Sequence, residues 1–140
     1  MSTDKAEKIG LLMTRYGFNH VTANAWVESN GKCVYCGANM IESLLTWLSA
    51  EIDHILPKST YPDLEWEPLN CVLCCRGCNC AKLKFDPVGL IKSLEVSCPI
   101  ELLRTNRQEL ISVIKTKLEP LRASAEETLR GVSDIIEGRY

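Results

Sequence analysis

Glu51-Ile52-Asp53-His54-Ile55-Leu56-Pro57-Lys58-Ser59 is the stretch on which the fold of this chain turns. Ile52 to Leu56 is a short apolar run closed by proline, the pattern of a strand. Neighbours on a strand point to opposite sides, so Asp53 and His54 do not crowd each other. Cysteines flank the stretch. Cys33-Val34-Tyr35-Cys36, followed by Gly37, precedes it, and Cys71, Cys74, Cys75, Cys78 and Cys80 follow. A Cys-x2-Cys knuckle with a glycine can turn tightly under a metal ion. The second cluster offers two such pairs, Cys71/Cys74 and Cys75/Cys78, and spacing alone does not choose. Cys75-Arg76-Gly77-Cys78 carries the glycine, whereas Cys71-Val72-Leu73-Cys74 reads as a β-strand with alternate sides buried. Two knuckles some 39 residues apart predict a four-cysteine zinc site. Cys71, Cys74, Cys80 and Cys98 are then surplus, and packing in the core accounts for them.

The chain has 140 residues, enough for one compact domain, with 24% charged and 46% hydrophobic residues. Disordered, collagen-like and pure coiled-coil compositions are excluded. No run approaches the roughly 20 apolar residues of a membrane span. Met1 to Lys5 leads into a charged helical pattern rather than an apolar secretory core, so the expected location is the cytoplasm. In that reducing setting eight cysteines bind metal rather than pair as disulfides. The net charge of −2, from 16 basic and 18 acidic residues, excludes a strongly basic nucleic-acid coat. Basic residues are instead local. Arg76, Lys82 and Lys84 occupy a stretch without acids, and with Lys58 they are the candidates for phosphate contacts.

Further out, residues 4–16 read as a helix capped by Asp4 and ended by Gly17. A second helix is predicted from after Thr22 to Gly31. Short strands are predicted at Leu44–Leu48, Ile52–Leu56 and Val72–Leu73. Asp86-Pro87 predicts a helix over 87–95. From Pro99 the chain reads as helical, with capping boxes at Thr105–Gln108 and Ser124–Glu127 and a break or kink at Pro120. Apolar residues at 110, 114, 118, 121, 125, 129, 132 and 136 form one stripe. That stripe is expected to pack on the zinc-bearing core. The alternative is a homodimer or partner-protein contact through the C-terminal helices.

Asn70 lies eight residues before Cys78, and Asn79 directly follows it. With these, the segment from Cys33 to about Lys84 resembles the HNH endonucleases, a branch of the ββα-metal (His-Me finger) nucleases. The motifs occur in order: Cys-x2-Cys, Asp-His-Ile-x-Pro-Lys-Ser, a central Asn, and Cys-x2-Cys-Asn-x2-Lys. The resemblance implies structural zinc on Cys33, Cys36, Cys75 and Cys78. It implies His54 as general base and Asp53 as ligand of a catalytic metal. Asn70 would hold the active-site loop. Asn79 stands where many members have a final His, and would be the second metal ligand. An amide oxygen suits Mg²⁺ or Mn²⁺ better than an imidazole nitrogen does. Pro57 to Trp66 is similar to HNH proteins of anti-phage defence systems, some with an ATPase partner. Tyr61 and Trp66 read as packing residues around that loop.

The implied fold class is α+β: a ββα-metal core at 33–84, stapled by four-cysteine zinc. Helical segments at 1–32 and 85–140 wrap it within one compact domain. The implied reaction is metal-dependent hydrolysis of DNA phosphodiester bonds, leaving a 5′-phosphate and a 3′-hydroxyl. An imidazole, with an ordinary pKa near ~6.5, suits the base at neutral pH. The metal relieves charge on the leaving oxygen. One such site cuts one strand, so a monomer nicks and a dimer can cut both. The competing class is a non-catalytic zinc-knuckle module that binds nucleic acid or protein, against which the Asp53-His54 pair argues. A thiol redox protein fits two matched knuckles poorly.

Overall fold

Two short antiparallel strands hold the centre. β1 is Ala50–His54 and β2 is Cys71–Cys75, with Ile52 opposite Leu73, Asp53 opposite Val72 and His54 opposite Cys71. β2 runs directly into the helix α4, Arg76–Lys82, completing a strand-strand-helix unit. The computed structural model describes residues 2–91 and 98–140. Around the ββα unit, in an α+β fold, lie α1 (Thr3–Tyr16), α2 (His20–Glu28), α3 (Leu44–Leu48) and α5 (Pro99–Ile136). Among the described residues no helix is long and apolar enough to cross a membrane.

Local chemistry explains the elements and corrects several expectations. Ser2, not Asp4, caps α1, and Gly17 ends it at φ +71°. α2 starts at His20 rather than after Thr22, because the Asn19 side chain accepts the Thr22 N–H. The strand expected at Leu44–Leu48 is the helix α3. Ser43 and Thr46 cap each other there, and Leu44, Leu45 and Leu48 stay exposed with no partner strand. β2 is buried on both faces rather than alternately, Cys71 through Cys74 all lying inside. Of the surplus cysteines, Cys71 and Cys74 are core residues, but Cys80 and Cys98 are exposed. Asp86 does cap the turn that begins at Pro87, yet that turn is a 3-10 turn ending at Leu90. Residues 92–97 of the expected 87–95 helix lie outside the described residues.

The core is closed by α5. Leu102, Leu103, Leu110, Ile111, Ile114 and Leu118 are buried against Ile55, Leu56, Val72 and the cysteine knuckles. Arg107 ties α5 down, donating to the Leu69 carbonyl at 2.8 Å and pairing with Glu28 at 3.1 Å. The helix departs from helical angles at Asn106, not at Pro120. At Asn106 side chains compete for the backbone. The Thr105 hydroxyl donates to the Glu101 carbonyl, while the Asn106 amide bonds the Glu109 side chain. Pro120 removes only the bond to the Thr116 carbonyl, which is exposed and open to water. The proposed capping boxes lie inside the continuous helix. The apolar stripe divides: it packs on the core as far as Leu118, and Leu121, Leu129, Val132 and Ile136 are exposed.

Candidate functional site

The four predicted cysteines converge. The sulfurs of Cys33, Cys36, Cys75 and Cys78 lie within 4.8 Å of one another. Cys36 and Cys75 sulfurs are 3.8 Å apart. Zn–S bonds of roughly 2.3 Å in a tetrahedron set the sulfurs roughly 3.8 Å apart, so the cluster fits zinc. Gly37 turns the first knuckle at φ +76°. Gly77 differs from expectation, being helical rather than a turn glycine. A side chain there would stand 3.9 Å from the Cys75 sulfur. The Cys75 sulfur also caps α4, accepting the Cys78 N–H at 3.4 Å. Hydrogen bonds from Cys75 and then Cys78 hold the Cys33 thiol down to about 3, while bonds with Cys33 and then Cys75 push Cys78 up. The cluster thus shares its protons unevenly, and a divalent cation would bind the four sulfurs as thiolates. Cys71 and Cys74 are different. Burial, first, pushes Cys71 up to about 11 and raises Cys74 further, so both remain thiols.

The first knuckle is stitched to the sheet. The Val34 N–H donates to the Leu73 carbonyl at 2.9 Å. That places the next residue, Tyr35, over Asp53, and its hydroxyl donates to Asp53 Oδ2 at 2.6 Å. Burial and then the Asp53 charge raise the Tyr35 phenol well above its ordinary value, so it stays a donor. On the other side Lys82 Nζ lies 3.2 Å from Asp53 Oδ2 and donates to the His54 carbonyl at 2.8 Å. Lys82 is only 1% exposed. Its ammonium is thus taken up by Asp53 and the His54 carbonyl at the floor of the site, although the sequence offers it as a candidate phosphate contact.

His54 makes a separate contact. Its Nε2 sits 2.8 Å from the Glu65 carbonyl, which can only accept, so Nε2 carries the proton and Nδ1 is left as acceptor. The Cys71 thiol donates to the same carbonyl at 3.3 Å. Asn70, fully buried, brackets the loop between the strands. It accepts from the Leu56 N–H at 2.7 Å and donates to the carbonyls of Leu56 and Leu64. Tyr61 fastens the loop to Asp86 at 2.8 Å, while Trp66 is exposed rather than packed. Asn79 donates to Glu51 Oε2 at 2.6 Å, and Arg76 pairs with Glu51 at 3.4 Å. Lys58 is exposed and pairs with Glu65 at 3.2 Å.

Asp53, His54, Lys58, Asn79, Lys82 and Lys84 line one cleft of about 330 Å³. Leu83 turns out of α4 at φ +52° on its rim, a conformation costing a side chain on the order of 1–3 kcal/mol. Arg76 is not among the lining residues. The oxygen donors on hand, the Asp53 carboxylate and the Asn79 amide oxygen, suit a hard divalent cation. Two contacts escaped the sequence: Tyr35 on Asp53 and the Glu65 carbonyl on His54. Glu51 was discoverable, since it alternates with Asp53 along β1 and so shares its face.

Residues 33–88 match the family model of the HNH endonucleases. The resemblance carried by the cysteine-bracketed segment is thereby borne out. The Septu protein PtuB of Bacillus thuringiensis is 41% identical over 58 residues, which make up 41% of this chain and 21% of PtuB. The chain thus spans about a fifth of that relative's length. No solved structure matches.

Proposed function

We propose that the HNH-type segment at residues 33–88 is a metal-dependent endonuclease that hydrolyses phosphodiester bonds of DNA. The observation carrying this reading is the gathering of His54, Asp53 and Asn79 on one cleft with Lys58 and Lys84 on its walls. His54 acts as the general base. With Nε2–H held by the Glu65 carbonyl, Nδ1 is free to take the proton of the attacking water. Asn70 keeps the loop carrying Pro57 and Lys58 in register with β1. Lys58 and Lys84 contact the phosphate backbone. A Mg²⁺ or Mn²⁺ ion held by Asp53 and Asn79 would supply positive charge to the scissile phosphate and its leaving oxygen. Zinc on Cys33, Cys36, Cys75 and Cys78 is structural. The likeness to Septu protein PtuB supports a role in anti-phage defence. The bare apolar length of α5 is the surface for a partner protein or a second copy of the chain.

One observation favours a second reading. The Lys82 ammonium already lies against Asp53, where a fixed cation can replace the metal. The chain would then bind nucleic acid without cutting it. Supercoiled plasmid incubated with Mg²⁺ or Mn²⁺ separates the two. Open circles are expected from the native chain and none from His54→Ala, with zinc content and circular dichroism unchanged. Equal nicking by His54→Ala would overturn the assignment of the base. Plasmid retained but uncut under either ion would favour the binding module.

A further inference from the structure

Asp53 receives two hydrogen-bond donors of different character. One, Lys82, is an ammonium. The other, Tyr35, is neutral and sits inside the Cys33–Cys36 knuckle, between two sulfur ligands of the zinc site. A dication arriving at Asp53 repels an ammonium but not a phenol. The Tyr35 bond is therefore the one that persists when a cation binds.

We propose that Tyr35 is a positioning residue through which the first cysteine knuckle presents Asp53 to the catalytic cation. The inference rests on reading Asp53 as a cation ligand. Its geometry is continuous from sulfur to carboxylate. The knuckle is closed by the Gly37 N–H on the Cys33 carbonyl at 2.8 Å and the Cys33 N–H on the Ala38 carbonyl at 2.9 Å. Its Val34 N–H is fixed to β2 at Leu73, whose partner in β1 is Ile52, the residue before Asp53. Tyr35 is 4% exposed, so its ring cannot swing away. Its hydroxyl holds Oδ2 at 2.6 Å, whereas the contact of Oδ1 with Lys82 is a long 3.4 Å. Oδ1 is thus the oxygen left freer to meet a cation, with its direction set by the bond on Oδ2. Hydrogen bonds to ligating carboxylates orient them, and removing one typically weakens metal binding about 10–100-fold.

The test is Mn²⁺ binding followed by electron paramagnetic resonance on the zinc-loaded chain, with zinc counted by mass spectrometry. Tyr35→Phe keeps the ring and removes only the hydroxyl. We expect one zinc per chain and Mn²⁺ binding weakened about 10-fold or more, with Asp53→Asn weakened as well. Weakening in Asp53→Asn but native binding in Tyr35→Phe would overturn the role of Tyr35 and leave Asp53 in place. Native binding by Asp53→Asn, or no binding by the unaltered chain, would overturn both. Should Tyr35→Phe fail to fold, the native sequence grown with 3-fluorotyrosine gives a second readout. The ¹⁹F signal of the buried tyrosine should move as Mg²⁺ is added, and a signal that stays fixed through a saturating titration would count against the proposal.

Discussion

Lys82 carries one end of an ion pair that water barely reaches, with Asp53 at the other end 6% exposed. Taking both charges out of water costs several kcal/mol, which the pair and its bonds to Tyr35 and the His54 carbonyl offset. Removing one member leaves the other stranded. Lys82→Met should therefore lower the free energy of unfolding by about 3–5 kcal/mol in urea titration. The double variant Lys82→Met with Asp53→Asn should recover much of that loss, because no charge is left without a partner. A single variant as stable as the native chain would show that the pair is not what holds this site. The spacing Asn79-x2-Lys82 was legible from the chain, but Lys82 read only as a candidate phosphate contact and its burial was not foreseen. Lys82 lies four residues after Cys78, so both project from the same side of α4, and Cys78 is buried. A register count from the zinc ligand would have placed the ammonium inside. No comparable count reveals the Tyr35 hydroxyl. An aromatic residue in a knuckle looks the same in sequence whether it only fills space or also donates.

At the level of elements, the first knuckle and β2 form one piece through the bond from Val34 to Leu73. Among the described residues the sheet has two strands, a size that is marginal in water without further support. Zinc on the four clustered cysteines would supply that support, since metal binding contributes folding energy in such small units. Cys33→Ser, or extraction with a strong chelator, should abolish cooperative unfolding and cost zinc and helix content together. Normal solubility and circular dichroism in zinc-free protein would remove the structural role. The two knuckles and β1 were visible in the chain because cysteine spacing and strand patterning agree there. α3 was misread because Leu44-Leu45-Thr46-Trp47-Leu48 is apolar enough for a strand, while the deciding signal was the polar pair Ser43 and Thr46. Burial on both faces of β2 was equally hidden, because it depends on α2 and the knuckle arriving from distant parts of the sequence.

Across the whole molecule, α5 changes surroundings partway along. Its buried residues run from Leu102 to Leu118, and none follows. A chain ending at Pro120 should unfold within about 1 kcal/mol of the full one in denaturant titration, the scale of surface changes. A collapse of stability would mean that the distal turns support the core after all. The stripe from 110 to 136 was plain in the sequence, but a pattern of apolar spacing says only that one side prefers to leave water. How far a core extends to receive it is set by the other elements. Beyond Pro120 the remaining 121–136 helix runs about 24 Å at 1.5 Å per residue. Its root, at Leu110 and Ile114, packs in the same cluster as Ile55 and Leu56, the two residues that follow His54. The bare distal turns and the segment that carries the imidazole thus share one foundation, so whatever covers the former rests on the same packed side chains as the latter.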